Sequence, residues 1–318
     1  MSWKPWTENR ADKAALSGEN EIIEFRTGRN TAETLAMLDE RVFRLRPEFP
    51  LQIAFEEAEG KKTKSYPLEY VTALSRMHHV RKLTLGLHLG QPFPLSGGPR
   101  QLEELRIWPG KAPCDIGFIG ELPNLKKLCL ANGIADFTPV RLLTYLESLA
   151  ISATIPSLAF LKNLTIPVLL LDHCDVKEGW EHLASANIRD LYLGSNKKLE
   201  DISFLASCTS LRKLEVSQSK VRVLCDCTRL DALEEVILKN MSKLEDLRPL
   251  ARARGLRRIE LEGLGAKIRA EDFRVFLTLP HLAELSIRFL NFSEKQSKAK
   301  AIYRLFQDSG KGSLVTYQ

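Results

Sequence analysis

The sequence predicts an α/β solenoid: a superhelix of short coils with a parallel concave sheet of about ten strands, capped at both ends. Three observations carry this. Leucine fills 52 of 318 positions, an excess that a generic enzyme has no physical reason to hold. The pattern L-x-x-L-x-L, with Ile or Val allowed, recurs ten times. Its first residues are Val80, Leu102, Leu125, Leu146, Ile166, Ile188, Leu211, Leu233, Leu256 and Leu282. The spacing between copies is nearly constant, averaging about 22 residues, within the range of stacked-coil repeats.

Each copy justifies one strand. In x-L-x-L the leucines alternate, so they face one side while the residues between them face the other. The first leucine of the motif and apolar residues of the return segment fill the same interior. Examples are Phe204 with Leu205, Leu247 with Leu250, and Phe273 with Phe276 and Leu277. A single coil cannot bury this face alone; stacking the coils at ~4.8 Å buries it and pairs the strand backbones.

The residues after the strands carry a family likeness. Leu193-Gly194-Ser195-Asn196 leads into Leu199-Glu200-Asp201-Ile202-Ser203-Phe204-Leu205, and Leu238-Lys239-Asn240 into Leu244-Glu245-Asp246-Leu247-Arg248-Pro249-Leu250. Asn132-Gly133-Ile134-Ala135-Asp136-Phe137 is a shorter copy. On these segments the chain resembles the leucine-rich repeat proteins, with short internalin-like repeats, over residues 80 to about 290. The resemblance implies a protein-interaction role. It also implies an Asn three residues after the last motif leucine, where Asn196 sits. Cys174, Ser219 and Thr154 hold the matching places, while His88, Gly110 and Met241 depart from the pattern. Irregular turns are expected.

The ends read as caps. Residues 1–79 are expected to form degenerate repeats, 80–290 the regular ones, and 291–318 a capping helix and tail, all one continuous domain. Ile22-Ile23-Glu24-Phe25 reads as a strand. Asn30 with Glu33 has capping-box spacing before a stripe of Leu35, Leu38, Val42 and Leu45. Leu51 to Phe55 alternates as a second strand, and Pro67 opens a helix carrying Leu68, Val71 and Leu74. Ser293 and Gln296 form a second capping box, ahead of Ala299, Ile302, Tyr303 and Phe306 at helical spacing.

Several functions are excluded or weakened. No run approaches the ~18–20 apolar residues of a membrane span, and the N-terminus lacks the apolar core of a secretory signal. The six cysteines, mostly in apolar runs, fit a reducing cytoplasm with no disulfide, no metal and no cofactor, the alternative being export by a non-standard secretion system. A bacterial origin is expected on the family resemblance. Two other readings remain as alternatives. One is an enzyme using a Cys/His site near Cys174 and His173, although adjacent strand residues point apart. The other is a nucleic-acid binder through residues 248–258, where five arginines are interleaved with Glu234, Glu235, Glu245, Asp246, Glu260 and Glu262. That interleaving and the mild net charge of +6 argue against a phosphate-binding stripe.

The concave face is therefore the expected site. Its outward residues are the third, fifth and seventh of each motif. Trp, Tyr and Arg dominate interface energetics, and an apolar strip rimmed by polar groups marks a protein contact. The residues expected to bind a protein partner are Arg106, Trp108, Leu170, Asp172, Tyr192, Glu215, Lys239 and Glu260. The role would be that of a bacterial effector, a scaffold or a toxin-neutralising protein, without catalysis.

Overall fold

A computed structural model describes residues 4–17, 21–57, 63–110, 112–196, 198–218, 220–289 and 292–317. The chain divides into two compact units, residues 1–154 and 155–318.

The N-terminal unit stacks six parallel strands: β1 (Ile23–Arg26), β2 (Pro50–Ala54), β3 (Lys82–Leu87), β4 (Glu104–Pro109), β5 (Lys127–Ala131) and β6 (Ser148–Ser152). The register aligns Ile23, Leu51, Leu83, Leu105, Leu128 and Leu149 in one row. Phe25, Ile53, Leu85, Ile107, Leu130 and Ile151 form a second. None of these twelve is more than 2% exposed. Period-2 patterning has thus placed one leucine-type residue above another through the whole stack.

The return segments follow from coil length. Ile23 to Leu51 spans 28 residues and Leu51 to Leu83 spans 32, room enough for the α-helices α2 (Glu33–Leu38) and α3 (Leu68–Ser75). Later coils of 21 to 23 residues accommodate only 3₁₀ turns, Gly117–Glu121 and Thr138–Leu142. Val71 and Leu74 are buried as expected, but Leu68 projects to solvent.

Asn30 does not cap α2. That helix starts at Glu33 without a side-chain cap, because the Asn30 amide is used elsewhere. Its Oδ1 accepts the Trp6 N–H at 2.7 Å, and its Nδ2 donates to the Arg26 carbonyl at 3.0 Å. Asn30 therefore ties the N-terminal segment to β1. An additional helix, α1 (Glu8–Leu16), lies on this end. A buried carboxylate does comparable work after α2: Asp39 accepts the N–H groups of His78 at 2.6 Å and His79 at 2.9 Å, satisfying the chain just past α3.

The C-terminal unit stacks seven parallel strands. They are β8 (Val168–Asp172), β10 (Asp190–Gly194), β11 (Lys213–Ser217), β12 (Glu235–Lys239), β13 (Arg258–Glu262), β14 (Glu284–Arg288) and β15 (Val315–Tyr317). Leu169, Leu191, Leu214, Val236, Ile259, Leu285 and Val315 share one interior row. Two short outer strands, β7 (Thr154–Ser157) and β9 (Asp175–Glu178), pair separately. The returns here are 3₁₀ turns. The helix α4 (Phe292–Asp308) closes the end with Ile302 and Phe306 buried, while Tyr303 faces water. The side chains of Ser293 and Gln296 lie outside the described residues. All ten motifs form strands, each parallel to its neighbours within its unit.

Candidate functional site

Each unit presents an open sheet face, opposite the leucine rows, and the eight predicted residues divide between the two. Arg106 and Trp108 belong to the N-terminal unit. Leu170, Asp172, Tyr192, Glu215, Lys239 and Glu260 belong to the C-terminal unit.

On the N-terminal unit the face forms a groove of about 580 Å³, lined by Ile22, Pro50, Gln52, Thr84, Glu104, Arg106 and Trp108 among others. Ile22 and Trp108 are 58% and 55% exposed, which is unusual for large apolar side chains on an ordered sheet. The register explains Trp108. Its neighbour on β3 is Gly86, so that side offers no side chain to cover the indole. Ile22 lies one residue before β1 and faces opposite to the core residue Ile23. Ile22 and Trp108 are three strand spacings apart, about 14 Å, and four residue levels apart, about 13 Å along the strands. They occupy diagonal corners of the groove. Arg106 lies between them in register, exposed, with its guanidinium 2.9 Å from Glu104. On its other side is Cys129, half-buried on the same face, where burial pushes the thiol above the usual cysteine range.

The C-terminal unit's face is built differently. Leu170, Tyr192, Glu215, Ile237, Glu260 and Ser286 form one lateral row. Asp172 and Lys239 lie in the next row. Lys239 Nζ sits 3.1 Å from Glu215 and 3.8 Å from Glu260, bridging over Ile237, which is only 5% exposed. Lys213 meets Glu235 at 3.0 Å, and Arg258 lies within 3.6 Å of Glu235, Glu260 and Glu284. Charges of both signs thus neutralise one another along the sheet. Burial, then the neighbouring Asp172 and Glu215 carboxylates, raise the Tyr192 phenol above the usual tyrosine range. The hydrogen bond and charge of Glu215 hold Lys239 above the usual lysine range.

The two alternative chemistries lose their geometry. Cys174 is fully buried, its thiol donating to the Asp172 carbonyl at 3.6 Å. His173 adopts a left-handed backbone (φ 54°), with an exposed ring and Nδ1 3.0 Å from Asp172 Oδ2. The Cys174 thiol and the His173 ring are therefore not brought together as a nucleophile and base. In the basic segment, Arg248 is held by Asp246 at 2.9 Å, Arg252 by Asp226 at 3.1 Å, and Arg258 by the carboxylates above. Among the described residues of this segment, Arg254 and Arg257 make no such ion pair.

The turns complete the picture. Asn196 is buried, and its amide donates to the Leu171 carbonyl one coil back at 3.3 Å. Gln218, which sequence reasoning missed, repeats the device by donating to the Asn196 carbonyl at 2.8 Å. Repeated coils of one motif strand and one return, with buried amides bonding coil to coil, decide the class. Both units have the leucine-rich-repeat solenoid fold.

No family model matches the chain, and no curated protein matches it in sequence. Several solved structures are similar to it in fold. An internalin C2 from Listeria monocytogenes is 20% identical, covering 60% of this chain and 77% of its own, with a TM-score of 0.41. A second Listeria internalin, inlF, is 20% identical over 85% and 92% at a TM-score of 0.42. A Leptospira interrogans leucine-rich repeat protein is 16% identical over 95% and 98% at 0.35. Among the described residues, no helix is long and apolar enough to cross a membrane.

Proposed function

We propose that the protein is a non-catalytic protein-binding module whose N-terminal groove holds an extended segment of a protein partner. One observation carries this reading: two large apolar side chains, Ile22 and Trp108, stand free at opposite corners of a groove on an ordered sheet. Exposed apolar anchors within a polar rim are the usual composition of a binding hot spot. Arg106 and Glu104 supply that rim, and Gln52 and Thr84 offer hydrogen bonds along the floor. The diagonal between the anchors is about 20 Å, which about six extended residues span. The partner segment therefore carries two apolar side chains about six positions apart.

The test is selection of binders from a random peptide library on the full chain. Selected peptides should share that spacing and lose about thirtyfold in affinity on Trp108→Ala, equivalent to about 2 kcal/mol. Ile22→Ala should weaken them similarly. Peptides that bind Trp108→Ala and the unaltered chain equally would place the interaction elsewhere and defeat the reading.

A further inference from the structure

The C-terminal unit contains a dithiol that the binding reading does not use. Cys225 and Cys227 flank Asp226, whose backbone is extended (φ −69°, ψ 112°) and so turns both neighbouring side chains to one side. Asp226 itself points outward. Its Oδ1 accepts the Thr228 N–H at 3.0 Å and the Thr228 hydroxyl at 2.6 Å, and its Oδ2 lies 3.1 Å from Arg252. This cap fixes the turn and leaves the two sulfurs side by side in the interior, 3.7 Å apart. Both residues are buried and both thiols are free.

Three features distinguish this pair from the other buried cysteines. First, closing the gap to a disulfide bond length of about 2.05 Å requires about 0.8 Å of movement by each side chain. Second, two residues span at most about 6.6–7.2 Å. That limit falls at the upper end of the α-carbon separations that disulfides bridge. Third, the hydrogen bond between the two sulfurs holds the Cys225 thiol below the usual cysteine range and pushes Cys227 up. Burial instead pushes Cys114 up to about 11 and Cys208 up to about 12.

We infer that Cys225 and Cys227 are an oxidation site that a hydroperoxide converts to an intrachain disulfide. The Cys225 sulfur attacks one oxygen of hydrogen peroxide and the O–O bond breaks. The departing hydroxide takes the thiol proton and leaves as water, giving a sulfenic acid on Cys225. The Cys227 sulfur then attacks that sulfur, the S–O bond breaks, and a second water leaves with the Cys227 proton. Two thiols are oxidised and one peroxide is reduced to two waters. Hydrogen peroxide is uncharged and little larger than water, which suits a buried pair.

The test treats the full chain with hydrogen peroxide, then unfolds it and alkylates the remaining thiols. The expected product has two fewer reactive thiols than the six of the untreated chain. It is about 2 Da lighter before alkylation, and peptide mapping joins Cys225 to Cys227. A dithiol reductant restores all six. The pair should oxidise roughly tenfold faster than Cys174 or Cys208. In Cys227→Ala the reaction should stop at a sulfenic acid on Cys225, trapped by dimedone; in Cys225→Ala, Cys227 should stay reduced. If a variant fails to fold, the map of the unaltered chain decides alone. Six unreacted thiols under conditions that oxidise glutathione would overturn the inference. So would a disulfide to Cys208, or an over-oxidised Cys225 beside a free Cys227.

Discussion

The two open sheet faces share one backbone plan and treat an apolar side chain in opposite ways. On β4, Trp108 is 55% exposed; on β12, Ile237 is 5% exposed. Both project from the face opposite the leucine rows. The difference lies in their lateral neighbours. Trp108 has Gly86 beside it, whereas Ile237 lies between Glu215 and Glu260, with Lys239 reaching to both. Long charged side chains bury apolar surface with their stems while their heads stay in water. A sheet face thus leaves its apolar members open or seals them according to which side chains flank them. The strands themselves do not decide it.

The largest expected effects test the frame beneath both faces. Leu105→Ala, under the N-terminal groove, and Leu214→Ala, under the C-terminal ladder, should each cost about 2–5 kcal/mol in denaturant unfolding. Trp108→Ala should stay within about 0.5–1 kcal/mol, as a surface substitution does. A Trp108→Ala chain as unstable as Leu105→Ala would mean that the indole is part of the core.

The next effect separates the two faces directly. Ile237→Ala should cost about 1.5–3 kcal/mol, the value of a buried aliphatic side chain, although it sits on the outward side of its strand. Equal costs for Ile237→Ala and Trp108→Ala would erase the distinction between the sealed face and the open one.

The comparison can also be reversed at one position. Gly86→Lys gives Trp108 the kind of neighbour that Ile237 already has. A β-carbon at Gly86 meets only the Ile53 carbonyl oxygen, at 3.4 Å, so the site admits a side chain. The lysine stem should cover the indole and lower peptide affinity about tenfold, or about 1.4 kcal/mol, in a titration. The unfolding midpoint should barely move. Undiminished affinity would show that the free indole face is not what the partner grips.

Much of this was legible in the sequence, and the gaps have physical causes. The ten strands follow from leucines at period 2 within a period of about 22, a signal that repetition strengthens. Trp108 and Arg106 were legible because motif position alone fixes an outward side chain. Ile22 was not, because Ile22-Ile23-Glu24-Phe25 offers two isoleucines to one core row. A one-residue slip exchanges the faces, and only pairing with β2 selects Ile23. The helix α1 escaped notice because its buried side is Ala11, Ala14 and Ala15, which carry little hydrophobic contrast. β15 is three residues long. Ile237 was assigned an outward place correctly, but its sealing depends on Lys239, Glu215 and Glu260, which are 2, 22 and 23 residues distant in sequence.

The smallest expected effect concerns that seal, and it is read from pH. The hydrogen bond and charge of Glu215, with Glu260 and Glu262 nearby, raise the lysine pKa of Lys239 in the folded chain. A raised folded pKa means that the ammonium is favoured by folding. Its contribution is fully present below the unfolded lysine value of about 10.4, and is lost as pH rises through the higher folded value. The pair lies near the surface, so screening keeps the contribution under about 1 kcal/mol. Other lysines and tyrosines titrate in the same window, which makes the difference between two chains the useful quantity. Lys239→Met keeps a stem of similar length over Ile237 and removes only the charge. Unfolding free energies of the two chains should differ by a few tenths of a kcal/mol at neutral pH, with the unaltered chain more stable. The gap should close steadily above about pH 10.4. A gap that stays constant through that window would show that Lys239 stabilises the face through its stem alone. A gap that widens with pH would contradict the ion pair as the cause.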